Sequence, residues 1–203
     1  MSPTTRPEFA RHRSTFSYPI VLNLDDVAVL VVGGGRIGAR KAEALVRSGA
    51  RVRLVASEVS EHVDRRALEE AMGEVIERPF VDADLDGIRL VITATGDIET
   101  DRVISAVARS RGIWTNAADQ PVDCEFILPA IARSGRVTGM ISTDGASPAL
   151  AKYLRDRLAE ILDDRVAEIA EVLAAERAAL QARGESTEDI DWRPRLEELF
   201  ARS

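Results

Sequence analysis

Val27-Ala28-Val29-Leu30-Val31-Val32-Gly33-Gly34-Gly35-Arg36-Ile37-Gly38 is the stretch that decides the fold. An apolar, β-branched run opens directly into spaced glycines, and a helix-prone stretch follows to Ser48, where Gly49 stops it. Strand, tight turn and helix are written in that order. Gly33, Gly35 and Gly38 stand in the spacing G-x-G-x-x-G, and each has a physical task in a dinucleotide site. The first allows the tight turn, the second lets backbone approach the pyrophosphate, and the third admits close packing of the helix. The amino end of that helix then faces the phosphates. One customary element is replaced: near the end of the next strand, Ala56-Ser57 stands where an acidic ribose ligand is expected, with Glu58 one step later. Arg51 and Arg53 alternate along that strand without forming an evident 2′-phosphate pocket, so the pattern alone leaves NAD and NADP both open.

Outward from this stretch, apolar runs alternate with helical ones. Strands are expected over 51–56, 74–78, 90–94 and 113–116, with helices over 60–72, capped by Ser60, and 99–110. Such alternation implies an α/β fold, a Rossmann-like parallel sheet with helices on both faces. The pattern changes after Asp119. Runs at 125–132 and 137–142 flank Arg133-Ser134-Gly135-Arg136 and read as a hairpin. From Ser147-Pro148, a serine cap with a first-turn proline, the chain reads as helical. Leu150, Leu154, Leu158, Ile161, Leu162, Val166, Ile169, Val172 and Leu173 recur at three- and four-residue steps, which places them on one helix face that something must cover. After a polar break, 192–200 forms a last short helix.

Composition narrows the function classes. The 203 residues carry 45% hydrophobic and 30% charged side chains, and the longest apolar run is far too short to span a bilayer. Residues 1–17 are polar and Arg-bearing, without the apolar core of a secretory signal, and read as a disordered tail. Cys124 is the one cysteine, which excludes an intrachain disulfide or a thiolate cluster and suits a reducing cytoplasm. A net charge of -7 argues against a nucleic-acid partner, since that affinity rests on cations. His12 lies in the tail and His62 on an expected surface helix, so neither supports a metal site or a catalytic triad. Cys124 is expected to be a small buried residue.

The run from Gly33 to Lys41 resembles the G-G-G-x-V-A-x-R-K signature of precorrin-2 dehydrogenases, the amino-terminal module of siroheme synthase. Leu90 to Asp97, Thr115 to Pro129 and Ser142 to Arg155 resemble three further blocks of that family in order and spacing, across about residues 18 to 165. Departures are Gly96 and Asp144, where the family commonly has Asp and Gly, Asp101 where Asn is frequent, and Lys152 where Arg is usual. The resemblance implies NAD-dependent dehydrogenation of precorrin-2 to sirohydrochlorin, and leaves open whether iron is also inserted. It implies a cofactor on Gly33, Gly35, Arg36, Ile37 and Gly38, near Ser57 and Glu58, with Thr95 beneath the nicotinamide. It places the active-site aspartate at Asp119, which the residues alone would read as a turn or cap sooner than as an active-site group.

A polycarboxylate substrate suits guanidinium partners, for which Arg133, Arg136 and Arg155 are candidates beside Ser142 and Thr143; each could instead be an ordinary surface or backbone-bonded side chain. The expected organisation is a tail over 1–17, a Rossmann domain over 18–124, a homodimerisation segment over 125–150 and a helical region over 151–203. The chain as given holds no methyltransferase block, so precorrin-2 is expected to be made elsewhere. The rival reading is a non-enzymatic NAD sensor, which would need neither an aspartate at position 119 nor the Ser147-Pro148 block.

Overall fold

The computed structural model describes Phe16 and residues 18–201. The tail expected over 1–17, with His12, lies outside the described residues apart from Phe16. The chain divides into two compact units that meet between Ile127 and Leu128.

The first unit is built on β1 (Ala28–Gly34), which is buried because it is apolar at every position rather than at alternate ones. Val29 and Val31 face one side with Val52, Leu54, Leu90 and Ile92, and are covered by Ala42 and Leu45 of α1 (Arg36–Val46) and Leu68 of α2 (Arg65–Glu70). Leu30 and Val32 face the other side with Val55 and Val91, under Ile104 and Ala108 of α3 (Ile98–Ser110). Around β1 lie β2 (Arg51–Val59), β3 (Glu74–Glu77), β4 (Leu90–Thr93) and β5 (Trp114–Ala117). All four pairings are parallel, in the order β3-β2-β1-β4-β5. The order reverses direction between β1 and β4, and it is at the carboxyl ends of the strands beside such a switch point that open α/β sheets bind ligands.

Two boundaries differ from the sequence expectation for one reason. β2 runs on to Val59, and α2 begins only at Arg65, with Asp64 rather than Ser60 as its cap: the Asp64 side chain accepts the Ala67 N–H at 3.0 Å. Ser60 is engaged elsewhere, its hydroxyl donating to the Gly34 carbonyl at 2.7 Å. A short 3-10 turn at Asp82–Leu85, unforeseen in the sequence, buries Asp84 against the Arg78 guanidinium, which holds its carboxyl below the usual carboxylate range.

The second unit is a hairpin carrying helices. β6 (Ala130–Ser134) and β7 (Val137–Ile141) pair antiparallel, Ser134 opposite Val137, around Gly135 at φ +53. Residues 125–129, expected as strand, are not; their hydrogen bonds go to β5 instead. α4 (Pro148–Ile161) starts at Ser147, whose hydroxyl takes the Leu150 N–H. It lies so close on β7 that a Cβ at Gly139 would meet Leu158 at 2.4 Å. The apolar stripe from Leu150 to Leu173 is carried by two helices, not one: the chain breaks at Leu162 and restarts as α5 (Asp164–Ala182), because Asp163 caps the Val166 N–H. α6 (Arg193–Ala201) docks on α5 through Arg195, bonded to Glu176 and Glu198.

A testable consequence concerns the two-sided core. Leu30 is fully buried, so Leu30→Ala should cost about 2–5 kcal/mol through lost transfer energy and the cavity left behind. Urea unfolding measures it, and a loss under 1 kcal/mol would contradict the packing described.

Candidate functional site

The carboxyl edge of the five-stranded sheet is where the first unit gathers its unusual backbone. Gly33 sits at φ +121, a conformation closed to other residues, and a Cβ there would stand 2.2 Å from the Ala94 carbonyl oxygen. Gly38 brings α1 down onto the turn: a Cβ there would lie 2.0 Å from the Gly33 oxygen. At Gly35, by contrast, an added Cβ would meet nothing within 4 Å. Gly35 is also the N-cap of α1, and no side chain caps this helix, whereas Asp64, Asp97, Ser147 and Asp163 cap α2 to α5. The first-turn N–H groups of α1 therefore have no side-chain cap and lie in the field of the helix dipole. Both observations fit a pyrophosphate approaching backbone across Gly35.

The other residues expected at the cofactor are arranged around this turn. Arg36 and Ile37 are exposed on the first turn of α1. Ser57 and Glu58 are brought against the glycine turn, since Ser60 bonds the Gly34 carbonyl through both its N–H and its hydroxyl, and a Cβ at Gly34 would meet the Glu58 oxygen at 2.4 Å. Arg51 and Arg53 sit at the start of β2, the opposite end from this edge, and pair with Asp26 and Glu74. Thr95 follows β4 directly, but its hydroxyl and N–H are both bonded to Asp101.

Asp119 lies in the turn after β5, exposed and in left-handed conformation at φ +61. Beside the end of β4, the Ala118 N–H bonds the Thr93 carbonyl at 2.9 Å, which places this turn next to the Thr95 loop. Cys124, half-buried as a thiol, braces it from below. Its Sγ lies 3.2 Å from the Ala117 nitrogen and 3.3 Å from both the Ala117 and Gln120 carbonyl oxygens. Burial raises the thiol above its ordinary value and so keeps the S–H available as donor. Glu125 ties the returning segment to β5 through Thr115 and is itself held by Arg109.

Lys41, quoted within the signature but not assigned a role, belongs to this neighbourhood. It is half-buried on α1, and burial with Arg40 nearby holds its ammonium below the usual lysine value, while Asp119 and Cys124 pull the other way. A lysine one turn beyond the third glycine was the signal available in the sequence.

The remaining candidates lie in the second unit. Arg136 is engaged with both carboxylate oxygens of Glu171, at 2.8 and 3.0 Å, and Arg155 with Asp156 at 2.6 Å, while Arg133 is exposed with no ion pair among the described residues. Ser142 accepts the Asp144 N–H, and the Thr143 hydroxyl bonds both the N–H and carbonyl of Ser147. Among the described residues no group of three or more His, Cys, Asp or Glu side chains is arranged to hold a metal ion, and no helix is long and apolar enough to cross a membrane.

Known proteins share this arrangement. A family model described as putative NAD(P)-binding matches residues 20–130, and one described as sirohaem biosynthesis protein central matches 140–161. Siroheme synthase of Pseudomonas paraeruginosa is 38% identical over 141 residues, 69% of this chain and 30% of that protein. Siroheme synthase of Nitrosomonas europaea is 38% identical over 140 residues, with the same coverage. The chain thus spans about 30% of the length of the curated relatives it matches. A solved structure titled SirC, precorrin-2 dehydrogenase, superposes with a TM-score of 0.65 at 26% identity, covering 91% of this chain and 88% of that one.

Paired glycine variants test the cofactor turn. Gly38→Ala should lower stability by about 1–3 kcal/mol, because the methyl cannot fit against Gly33. Gly35→Ala, in open space, should melt as wild type yet weaken NADH binding. Thermal melts and NADH fluorescence titration give both readouts; equal effects in the two variants would contradict the assignment.

Proposed function

The chain belongs to the family shared by siroheme synthase and precorrin-2 dehydrogenase, and from that premise we propose that it oxidises precorrin-2 to sirohydrochlorin with NAD as hydride acceptor. The observation that carries the reading is the sharing of one sheet edge by the uncapped amino end of α1 and the Asp119 turn. Oxidation removes a hydride and a proton from the macrocycle. The nicotinamide, when bound, supplies the hydride acceptor. Gly33, Gly35 and Gly38, with Arg36 and Ile37, would hold the pyrophosphate; Ser57 and Glu58 would serve the adenosine ribose. Asp119 would receive the proton on a carboxylate oxygen, or steer it, as a general base. The engagement of Arg51 and Arg53 far from the cofactor edge supports NAD over NADP.

Charge-assisted bonds would orient the substrate carboxylates. Arg133 is the candidate most available for this, since Arg136 and Arg155 would first have to leave Glu171 and Asp156. Ser142 and Thr143, in the turn between β7 and α4, would offer hydroxyls to the substrate. The compartment that suits a lone free cysteine is the reducing cytoplasm.

The second unit exposes Leu128 before its hairpin, Met140 on β7 and Leu150, Tyr153, Leu154 and Ile161 on α4, an apolar set that a partner surface would cover. A second copy of the chain is the proposed cover, as a two-fold dimer. Sedimentation should find a dimer at micromolar concentration; a monomer there would refute this part.

The experiment for the activity is incubation with precorrin-2 and NAD, followed by the visible spectrum of sirohydrochlorin. Asp119→Asn should keep NADH affinity and lose about 10²-fold or more in turnover, the usual share of a positioned base. An unchanged melting temperature with a wild-type rate would refute the assignment, and a change confined to KM would make Asp119 a binding residue.

A further inference from the structure

The loop Ala94-Thr95-Gly96-Asp97 between β4 and α3 is held by a carboxylate to which the reaction assigns no role. Asp101, in the first turn of α3, is only 3% exposed. Its Oδ1 accepts the Thr95 N–H at 3.1 Å and the Thr95 hydroxyl at 2.8 Å. The Thr95 oxygen in turn accepts the Asp97 N–H at 3.1 Å, and Asp97 caps α3 by accepting the Thr100 N–H at 2.7 Å. Thr95 therefore has neither a free N–H nor a free hydroxyl proton to offer a ligand. It is held in place and does not itself do the holding.

The other side of this loop is the glycine turn. The Ala94 carbonyl lies where a Cβ on Gly33 would come within 2.2 Å of it, and the Ala94 N–H bonds the Val32 carbonyl at 2.8 Å. At that separation the turn and the loop cannot shift independently. Burial of the Asp101 carboxylate carries a desolvation cost, which raises its carboxyl above the ordinary value against the bonds from Thr95. A buried carboxylate at a sheet edge that binds ligands is more costly than an apolar contact, and what it secures here is the geometry of the loop.

We propose that Asp101 is a positioning residue for the cofactor, clamping Thr95 so that the β4–α3 loop is fixed against the glycine turn before the dinucleotide arrives. This rests on the dinucleotide reading of the carboxyl edge. Preorganisation of this kind acts on affinity, because a loop that is already ordered need not be ordered by the ligand. Asp101 touches no reacting atom, so its effect falls on the KM for NAD and is recovered in kcat at saturation.

NADH titration of wild type, Asp101→Ala and Asp101→Asn tests the proposal, with melting temperatures measured alongside. Asp101→Ala should bind NADH about tenfold or more weakly. Asp101→Asn, which keeps the acceptor oxygen, should restore affinity to within about threefold. Thr95→Val, which removes the hydroxyl while keeping the shape, should also weaken binding and covers the case in which Asp101→Ala does not fold. Wild-type affinity in Asp101→Ala or Thr95→Val overturns the proposal, as does an Asn variant as weak as the Ala one or a loss expressed only in kcat. A wild-type protein that fails to bind NADH overturns the reading of the edge itself, and the proposal with it.

Discussion

The contact between Gly38 and the Gly33 carbonyl is the constraint on which the first unit depends. No side chain fits between them, so α1 can begin immediately after the end of β1. That approach brings the amino end of an uncapped helix to the switch point between β1 and β4, the one place in this topology where the strand order leaves a crevice. The same turn presses Gly33 on Ala94, and thereby couples the β4–α3 loop to it. Helix start, anion-binding backbone and loop position all follow from two residues without side chains.

The contrast between α1 and the other helices sharpens this. Four of them satisfy one first-turn N–H with a carboxylate or hydroxyl of their own, which contributes about 1 kcal/mol in each case. α1 forgoes that stabilisation at the site where free N–H groups are useful. Its fold is secured instead by burial: Ala39, Ala42 and Leu45 seal it to the sheet, and the two alanines allow the helix to lie close. The local stability that α1 lacks at its amino end is thus supplied by packing along its length.

How much of this was legible in the sequence depended on the range of the interactions. β1 was readable because two-sided burial leaves a continuous apolar run, and the Ser147-Pro148 start of α4 because caps are local. The delayed start of α2 was not, since Ser60 is drawn away by Gly34, 26 residues distant in sequence. Nor was the break at Leu162: apolar spacing at three and four residues continues through it, and only the Asp163 cap marks the new start. Of the candidate site, the positions of the glycines and of Asp119 at strand ends were legible, while the role of Asp119 came only from the family resemblance. The brace of Cys124, Glu125 and Thr115, and the clamp of Asp101 on Thr95, depend on side chains converging from different elements, which periodicity does not encode.

The choice of residue at Asp119 carries one more step. A left-handed residue that is not glycine costs of the order of 1 kcal/mol, and aspartate is among the few that tolerate it. Asp26, Met72 and Asp144 are left-handed as well, so the conformation alone marks no function; what sets Asp119 apart is its place at the carboxyl edge of the parallel sheet. Here the strained carboxylate is retained, and the surrounding structure over-determines it: the Cys124 sulfur engages Ala117 and Gln120 on either side of it, and the Ala118 N–H is fixed to β4. Those bonds hold the backbone and leave the carboxylate exposed, within electrostatic reach of Lys41. An exposed carboxylate on a firmly held turn, at the edge where open α/β sheets bind ligands and within electrostatic reach of Lys41, is placed as the proposed proton acceptor requires.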